Sequence, residues 1–488
     1  MFAALEIVAK RPELKLVMIE KGSARTKEDR SNITCGWGGA GAFSDGKLNW
    51  THVTGGHLLA EVLGEEKFNE LTKYVDSKYL EFGGAGHIID PNCPEVEALK
   101  CKAYAAGLAL VSFPIRHLGT DKCFEIVENI RKYLLSKNVE IILDNGVAHI
   151  ERAGQNLPHL SSPSFKEGEV PKSFSTTGIP APTCRSLGIG GGGGGPALRS
   201  LGEGGFVLTL ENGDKIGAGK IVAAIGRSGA DWFVKEAEGL GLSFKHNGVD
   251  IGVRVEVRAE ILEHLTRNLY EAKIFFESPT FRDRVRTFCM CPYGFVGIEQ
   301  YAANLGHNDG FCTVNGHSYS NKKSENTNFA VLATQFFTEP FNDPIGYGKY
   351  AAKAANRLAG GGVLIQRLGD LKSGRRSNPD RILKGFVRPT LKEAVPGDLS
   401  LAMYHRQLTD IVEMLEAMDK IAPGIASDHT LLYGNEVKFY SVRIDADKNF
   451  ETTIPGLFVA GDGSGYTRGL LQASMQGVVV GRHIADNF

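Results

Sequence analysis

The stretch Leu457–Gly481 reads LFVAGDGSGYTRGLLQASMQGVVVG and contains the strongest pattern in the chain. Its apolar start, Leu457–Ala460, predicts a short buried strand. The Gly-Asp-Gly at 461–463 predicts a sharp turn, and the small residues of Leu470–His483 predict a packed helix. Such glycines also occur in ordinary turns. In this setting they favour a site for a phosphate-containing cofactor, because glycine backbone and a helix start both accept close ligand approach.

Length and composition limit the function classes. At 488 residues the chain exceeds one hydrophobic core, so two or three packed regions are expected. The formal net charge is −1, which gives no broad footprint for nucleic acid or an anionic membrane. Glycine is the outlier, with 60 residues against a usual share of about 7%. These values predict an ordinary globular protein that does not bind nucleic acid or membranes.

The cysteine spacing and the N-terminal residues give no metal-binding or targeting signal. The eight cysteines lack the paired spacing of a structural zinc site, so no metal is predicted. The opening MFAALEIVAKRPELK has no basic segment before its apolar part, which argues against a secretory signal. No apolar run approaches the roughly 18 residues that span a bilayer. A reduced, cytoplasmic protein is the expectation.

The N-terminal residues predict the second half of a β-α-β nucleotide-binding unit. Phe2–Lys10 has helical spacing of apolar residues, and Leu14–Ile19 predicts a strand that ends at Glu20 and Lys21. In such units an acidic residue at this strand end accepts from ribose hydroxyls. The alternative is a solvated Glu20 at an ordinary strand end. The G-x-G-x-x-G loop that should precede the helix is absent, so the first strand is predicted to be missing from an incomplete N-terminus.

A second glycine-rich segment, CGWGGAGAFSDGKLN at Cys35–Asn49, is interpreted as a ligand-facing loop. Its glycines permit close backbone approach. A flexible surface loop is the alternative, but Trp37 and Phe43 argue against it, because exposed flexible loops seldom carry two large aromatic residues. The loop also supplies polar side chains at Ser44, Asp45 and Lys47.

Further along the chain, helices are predicted at Glu61–Phe82, Glu95–Leu110 and Lys122–Ser136, followed by a strand at Val139–Leu143 and a hairpin strand at Val147–Arg152. Residues 153–205 are rich in Pro, Ser and Gly and predict a disordered insertion. Strands resume at Phe206–Leu210 and Lys215–Ile225. From about residue 250 the pattern is strand-rich, with flanking helices at Ile345–Leu358 and Leu401–Ile421.

Catalytic candidates are few. Cys289 and Cys291 are two apart on a predicted strand and would share one face, as a redox pair or as packed apolar groups. His317 is either a proton donor or a structural histidine. The basic pieces at Arg282–Arg284 and Lys372–Arg376 either receive an anion or lie on a solvated surface. No serine-hydrolase or H-E-x-x-H motif supports a hydrolase.

Several ordered segments resemble the uncharacterised FAD-dependent dehydrogenase family, flavoproteins of the two-dinucleotide-binding-fold type. The resemblance lies in GWGGAGAFSDGKLN, FPIRHLGTD, IGVRVEV, TFCMCPYGF, VNGHSYSNKKSENTN, QRLGDLKSGRRS and GLFVAGDGSG, which begin at Gly36, Phe113, Ile251, Thr287, Val314, Gln366 and Gly456. The likeness covers nearly the whole chain apart from the insertion. It is specific for the family and not for a reaction, because family members generally lack an assigned substrate.

The resemblance implies FAD bound in extended form, with Glu20 at the adenosine ribose and Gly226 by the adenosine half. It places Gly36–Lys47 at the pyrophosphate and flavin and Asp462 at the ribityl chain or pyrophosphate. The helix after Gly463 would point its first turn at the isoalloxazine. The full set of expected FAD contacts is Glu20, Lys21, Gly38, Gly39, Ala40, Ser44, Asp45, Gly46, Lys47, Gly226, Gly461, Asp462, Gly463, Leu470 and Leu471.

These observations predict an α/β fold with a Rossmann-like FAD-binding domain and a second, strand-rich α+β substrate domain. The FAD-binding domain comprises residues 1–152, 206–249 and 436–488, and the substrate domain comprises residues 250–435. The predicted function is hydride transfer between FAD and an unidentified small-molecule substrate, with NADH or NADPH as an optional redox partner. The alternative is a catalytically inactive FAD- or nucleotide-binding scaffold. The sequence does not specify the oligomeric state.

Overall fold

A computed structural model describes residues 1–27, 35–44, 46–154, 204–269, 271–301, 310–319 and 322–488. The chain divides into two compact units, one of residues 1–146 and 222–488 and the other of residues 147–221. Most of the predicted insertion at 153–205, and Asp45, lie outside the described residues. The predicted domain limits therefore stay a prediction.

The N-terminal elements of the larger unit follow the expected β-α-β order. Helix α1 spans Phe2–Lys10, and strand β1, Val17–Ile19, pairs in parallel with β6, Glu140–Ile142. Between them in sequence lie α6, Thr120–Ser136, and the short α2, Gly39–Ala42. The apolar face of α1 is buried, which explains why a helix of nine residues is stable in this position.

The segment quoted at the outset forms the predicted strand, turn and helix. Strand β22, Leu457–Val459, lies beside β10, Ile221–Ala223, and Ala460 N–H donates to Ala223 C=O at 3.1 Å. Helix α13, Leu470–Asp486, packs closely on α1. Close packing requires Gly481, because a Cβ there would lie 2.5 Å from the Ala3 carbonyl oxygen. The helix extends three residues beyond its predicted end.

The main sheet of the larger unit has eight strands in the order β19-β18-β20-β12-β17-β14-β13-β4. Their bounds are Val395–Pro396, Leu364–Arg367, Leu431–Lys438, Val249–Arg258, Asn326–Gln335, Arg284–Cys291, Lys273–Glu277 and Leu108–Val111. The central strand β12 pairs antiparallel with β17 and β20 and is buried on both faces. Apolar residues of β12 and its neighbours form the largest core. Strand β20 crosses the predicted domain limit at 435/436.

Helices cover this sheet. They are α5, Pro94–Ala105; α8, Ala259–Leu269; α9, Pro344–Leu358; α10, Leu368–Lys372; α11, Pro379–Leu383; and α12, His405–Asp419. The pair α3, His57–Leu63, and α4, Glu65–Glu81, lies earlier in the chain. No helix among the described ranges has the length and apolar character needed to cross a membrane.

Smaller sheets complete the unit. Strand β15, Phe295–Tyr301, pairs antiparallel with β16, Phe311–His317. A three-stranded sheet contains β2, Lys47–Asn49; β5, Ile115–His117; and β3, Ile88–Ile89. Strand β11, Phe244–Lys245, pairs with β21, Arg443–Ile444. The second unit consists of β7, Val147–Arg152; β8, Phe206–Leu210; and β9, Lys215–Ala218, in an antiparallel meander.

Two predicted elements need correction, and a third is settled between its alternatives. The helix predicted for Glu95–Leu110 ends at Ala105, and β4 begins at Leu108 because Gly107, at φ 78°, breaks the helix. The single strand predicted for Lys215–Ile225 is two strands, separated at residues 219–220. The charged segment Glu61–Phe82, for which a surface helix or a pair was expected, is the pair, and it breaks at Gly64. In each case a glycine lies at the break.

Candidate functional site

Two glycine turns meet at the carboxyl ends of β10 and β22. Gly226 has φ 60° and Gly461 has φ 72°, and a Cβ at either position would have nothing within 4 Å. Between them the backbones touch, since a Cβ at Gly463 would lie 2.7 Å from the Gly226 carbonyl oxygen. The two turns therefore pack against each other and leave open backbone on their outer sides, where a ligand could lie against them.

Asp462 lies on this turn, half-buried, and accepts from Thr467 Oγ1 at 3.0 Å. Burial raises the pKa of Asp462, and the positive charge of Arg227 opposes that effect. The Arg227 side chain is exposed to solvent. The surrounding protein acts to lower the pKa of Arg227, but the carboxylates of Asp462 and Glu299 raise it. Arg227 and Asp462 are therefore close enough to interact electrostatically beside the open glycines.

Side chains of the first turns of α13 hydrogen-bond to the turn at Gly461 and to the segment that contains Thr51. Gln476 Oε1 accepts from Gly461 N–H at 2.9 Å, and Gln472 Nε2 donates to Thr51 C=O at 3.0 Å. Leu471 is fully buried, and a Cβ at Gly41 would lie 3.3 Å from Leu470 Cδ2. The predicted contact residue Leu470 is therefore adjacent to the loop at 36–47, and Leu471 is part of the buried core.

The loop at 36–47 is ordered by its aromatic residues. Trp37 is buried and donates from Nε1 to Val127 C=O at 3.2 Å, and Phe43 is buried as well. Gly38 lies against α6, because a Cβ there would be 2.5 Å from Val127 Cγ1. Both aromatic residues are buried, which argues against a flexible surface loop; that the loop faces a ligand stays a prediction.

The rest of that loop contains the remaining expected contacts. Gly38 and Gly39 have φ 81° and 49°, Ala40 lies in α2, and Gly46 N–H donates to Ser44 Oγ at 3.2 Å. Their backbone conformations are ones that glycine adopts readily. Whether they contact FAD stays a prediction.

Glu20 lies directly after β1, as the sequence predicts, and organises the chain around it. Its Oε1 accepts from Gly22 N–H and Gly36 N–H, both at 2.9 Å. The Arg25 guanidinium lies 5.4 Å from the centroid of the Phe43 ring, and Arg25 Nη1 is a buried donor without a hydrogen-bond partner. The carboxylate therefore joins the strand end to the loop at 36–47. Lys21 follows at the surface.

Lys47 connects this loop, through Glu271, to Lys273 on strand β13 of the eight-stranded sheet. Its Nζ lies 3.2 Å from Glu271 Oε2, and Lys273 contacts the other carboxylate oxygen. Burial acts to raise the pKa of Glu271, but Lys273 and Lys47 together lower it to about 2. The three side chains are buried and together contribute one net positive charge.

The two candidate cysteines lie at the end of β14, where regular strand geometry fails. Cys289 has φ 46°, and the β14–β17 register shifts between Phe288 and Cys291. The strand is therefore irregular between the two cysteines, and their shared face and redox role stay predictions. Cys291 Sγ donates to Cys289 C=O at 3.5 Å.

Protonation of this pair follows from its surroundings. Contact with Cys289 and burial raise the pKa of the Cys291 thiol well above its ordinary value, although Lys47 and Arg254 act to lower it. A thiol at neutral pH is not the nucleophilic form. The charge effect of Lys47 also shows that the cysteine pair and the loop at 36–47 are near each other.

The other candidates have local partners. His317 ends β16 opposite Phe295, and its ring centroid lies 6.2 Å from that of Tyr319. The two basic pieces are largely ion-paired, since Arg282, Lys372 and Arg375 contact Glu277, Glu416 and Asp370 at 2.5, 2.7 and 3.0 Å. This favours their reading as solvated, paired surface.

Sequence reasoning missed a buried network on β12 and β20. Arg254 is fully buried and donates to both Glu436 oxygens at 2.8 Å, and to the Cys289 carbonyl oxygen at 2.8 Å. Lys438 lies 3.3 Å from Glu436 and 3.4 Å from Glu299. The available signal was IGVRVEV itself, where charged residues interrupt a strand that otherwise reads as buried.

It also missed a second group, around Tyr440. Asp250 accepts from Thr334 Oγ1 at 2.7 Å, from Arg286 Nη2 at 2.5 Å and from the Tyr440 hydroxyl. Arg286 Nη2 also donates to Tyr440 Oη at 2.9 Å. The Arg468 guanidinium carbon lies 3.4 Å from the centroid of the Tyr440 ring. No local pattern connects residues this far apart in sequence.

The residues present fit FAD in three ways. The open backbones of Gly226 and Gly461 could take a phosphate or sugar chain, and Asp462 offers an acceptor for hydroxyls. The buried, unpaired Arg25 Nη1 provides a further donor close to Glu20. Among the described residues no group of three or more His, Cys, Asp or Glu side chains is arranged to hold a metal ion.

Comparison with known families matches the part of the chain that contains seven of the eight strands of the main sheet. Residues 249–439 match the family described as FAD-dependent protein, C-terminal domain-like. The expected resemblance to FAD-dependent proteins is thereby confirmed over this segment, which contains the Arg254 network and the two candidate cysteines.

Individual relatives are distant. An uncharacterized protein of Clostridium beijerinckii (strain ATCC 51743 / NCIMB 8052) is 24% identical over 482 residues, covering 94% of this chain and 71% of the relative. Among solved structures, glycine oxidase from Geobacillus kaustophilus is 11% identical with a TM-score of 0.33, covering 99% of this chain and 90% of that one. The amino acid oxidase NikD is 10% identical with a TM-score of 0.34, covering 100% and 91%. Similarity this low carries no argument about mechanism.

Proposed function

We propose that the protein is an FAD-dependent oxidoreductase that transfers a hydride between the flavin and a small-molecule substrate. The observation that carries this proposal is the match of residues 249–439 to FAD-dependent proteins. The open glycine turns at Gly226 and Gly461, joined to the start of α13, support it from the geometry of the remaining chain. A Rossmann-like arrangement of β1, β6, β10 and β22 is part of the same proposal.

In this proposal each predicted contact has a physical role. Gly226 and Gly461 admit the cofactor to the backbone, and Asp462 accepts from ribityl or ribose hydroxyls. Glu20 faces the adenosine ribose with the carboxylate that also holds the loop at 36–47. The first turn of α13 directs N–H groups at the flavin, an effect worth about 0.3–1 kcal/mol for a developing negative charge.

Bound FAD would supply the two-electron chemistry. The chain's own residues would orient the substrate and exclude water at the edge of the eight-stranded sheet. Lys47 lies on the loop assigned to the flavin and is held by Glu271, so its position is fixed by a buried ion pair. In this proposal the net positive charge of Lys47, Lys273 and Glu271 would lie near the reacting ring and would stabilise negative charge that develops there.

A visible spectrum of the purified protein tests the proposal. We expect a flavin band, or its appearance after addition of FAD, and bleaching of that band by NADH, NADPH or dithionite. Turnover of a dye acceptor with NADH or NADPH distinguishes an oxidoreductase from an inactive scaffold, which would bind FAD without turnover. Absence of flavin uptake under all conditions would overturn the proposal.

The proposed FAD contacts of Asp462 and Glu20 should differ in their effect on FAD retention. We expect Asp462→Ala to weaken FAD retention more than Glu20→Ala, because Asp462 lies on the open glycine turn whereas Glu20 Oε1 is already engaged by two backbone N–H groups. Flavin occupancy after gel filtration measures this. Equal occupancy in the wild type and both variants would contradict the assignment.

A further inference from the structure

Arg468 lies one residue before the N-cap of α13, at the point where the glycine turn leads into the helix. Its backbone N–H donates to Gly55 C=O at 2.9 Å, which fixes the main chain at this position. Gly55, at φ 79°, must be glycine here, because a Cβ would lie 2.4 Å from the Arg468 carbonyl oxygen. The Arg468 backbone is therefore held firmly beside the proposed flavin end of the site.

The side chain of Arg468 is half-buried and held over one aromatic ring. Its guanidinium carbon lies 3.4 Å from the Tyr440 ring centroid, close enough for a cation–π contact. Tyr440 cannot turn away, because its hydroxyl donates to Asp250 and accepts from Arg286 at 2.9 Å. The stacking fixes the plane of the guanidinium group and leaves its edge of N–H donors available.

Those donors have no hydrogen-bond partner among the described residues. Across the ranges that the structure describes, the Arg468 side chain makes no hydrogen bond and no ion pair, and neither does that of Arg227. Both guanidinium groups act electrostatically on the Asp462 carboxylate, and Arg227 acts on Glu299 as well. Arg468 is thus near a carboxylate without making a hydrogen bond to it.

The Arg468 side chain is half-buried, but its nitrogens are not among the buried unpartnered atoms, so they reach solvent and a ligand can contact them. Arginine presents parallel N–H groups that match the two oxygens of a carboxylate. Arg286 cannot serve the same ligand freely, because Asp250 and Tyr440 already occupy its Nη2. His57 is nearby. Burial, and to a smaller extent the charge of Arg468, lowers the pKa of His57, so its imidazole adds no positive charge for an anion at neutral pH.

We propose that Arg468, stacked on Tyr440, is the anchor for the carboxylate of an organic acid substrate. This inference rests on the proposed function. If the flavin lies at the start of α13, a carboxylate bound by Arg468 beside it would belong to the substrate. The inference adds the chemical class of the substrate, a carboxylic acid, and a specificity-determining residue.

The test uses benzoate as the probe and benzamide as its neutral counterpart of nearly equal shape. Isothermal titration calorimetry of the purified protein measures binding directly and needs no turnover. We expect benzoate to bind and benzamide to bind at least ten-fold more weakly. Arg468→Met should weaken benzoate at least ten-fold and leave benzamide unchanged, and Arg468→Lys should recover only part of the loss, because a lysine lacks the planar fork.

Arg357→Met is the matched control, since Arg357 is an exposed arginine on α9, outside every candidate site. It should bind benzoate as the wild type does. Circular dichroism and melting temperature check that Arg468→Met is folded, and flavin content checks that its cofactor site is intact. Benzoate affinity that is equal in the wild type and Arg468→Met, or equal for benzoate and benzamide, overturns the inference.

The outcomes separate the two proposals. Loss of benzoate binding with unchanged flavin content supports Arg468 as a carboxylate anchor. Loss of flavin content in Arg468→Met, with benzoate binding retained, would instead assign the arginine to the cofactor and overturn the inference. Benzoate binding by a protein that takes up no FAD would overturn the proposed function and retain Arg468 as an anion site.

Discussion

Lys47 Nζ lies 3.2 Å from Glu271 Oε2, and the two side chains are only 7% and 3% exposed. Lys47 belongs to the glycine-rich loop at 36–47, whereas Glu271 belongs to the segment that matches FAD-dependent proteins. A buried ion pair that joins two such segments fixes their relative position. It also makes the structure sensitive to the loss of one charge.

The first prediction concerns the stability of this pair. Glu271→Gln leaves the ammonium groups of Lys47 and Lys273 buried without a counter-ion, so it should lower the free energy of unfolding by about 3–5 kcal/mol. Urea denaturation measures this. As a control, Glu277→Gln removes an exposed carboxylate paired with Arg282 and should change stability by less than about 1 kcal/mol.

The contribution of Glu271 to stability depends on pH. The pKa of Glu271 is about 2 in the folded protein and about 4.3 in the unfolded chain. The stabilisation is therefore present above about pH 4.3 and is lost as the pH falls towards 2, a contribution of about 3 kcal/mol. The wild type should lose this much between pH 5 and pH 2, and Glu271→Gln should lack that part of the pH dependence. Identical profiles would show that the ion pair does not contribute.

A second prediction concerns the buried pair of Arg254 and Glu436. Arg254→Met should destabilise the protein by about 3–5 kcal/mol, because it leaves the Glu436 carboxylate buried with only Lys438 nearby. The double variant Arg254→Met/Glu436→Leu should recover most of that loss, since apolar pairs replace buried ion pairs well. Chemical denaturation of the single and double variants checks both statements.

The control for this prediction lies on the same strand. Arg258 makes ion pairs with Glu260 and Glu325 at the surface. Arg258→Met should therefore cost less than about 1 kcal/mol. A loss as large as that for Arg254→Met would mean that burial is not the cause.

A third prediction concerns Asp410 on α12, whose two carboxylate oxygens are buried without hydrogen-bond partners. Burial, together with the nearby Asp283, raises the pKa of Asp410 to about 6. A raised carboxyl pKa means that the folded state holds the proton more tightly than the unfolded chain, so stability is present below about pH 4 and falls as the pH rises through 6.

Asp410→Asn removes the charge and should raise the free energy of unfolding at pH 7 by about 1–2 kcal/mol, because water around Asp283 and Arg406 screens part of the repulsion. The gain should vanish at pH 4. Melting temperatures of both proteins from pH 4 to 8 measure it. A gain that is constant across this range would indicate a packing effect instead of a charge effect.

A fourth prediction compares two glycines with the same backbone angle. Gly461 and Gly241 both have φ 72°, and a Cβ at either would have nothing within 4 Å. Replacement of either by Ala should cost about 1–2 kcal/mol of stability, since the left-handed conformation strains residues with a Cβ. Only Gly461→Ala should weaken FAD binding, because only its methyl group would enter the proposed cofactor site. Equal FAD affinity in the two variants would remove Gly461 from that site.

Much of the local structure could be predicted from the pattern of residues. Helix α1, strand β1 and the strand–turn–helix from Leu457 onwards are found at or near their predicted limits, because apolar periodicity and glycine turns act over a few residues. Glu20 was also predicted at the end of β1. The errors at residues 105–108 and 219–220 occur where a glycine interrupts an otherwise uniform pattern.

The sequence alone determined the elements, the glycine turns and the kind of cofactor that they suggest. The tertiary structure decided which charged side chains form buried ion pairs. Arg254 and Glu436 are 182 residues apart, and Lys47 and Glu271 lie on segments that come together only when the main sheet has formed. Such pairs depend on strand register and long-range packing, which local periodicity does not encode. For the same reason the Arg468–Tyr440 stack, next to the segment that first indicated a cofactor, could be found only in the folded chain.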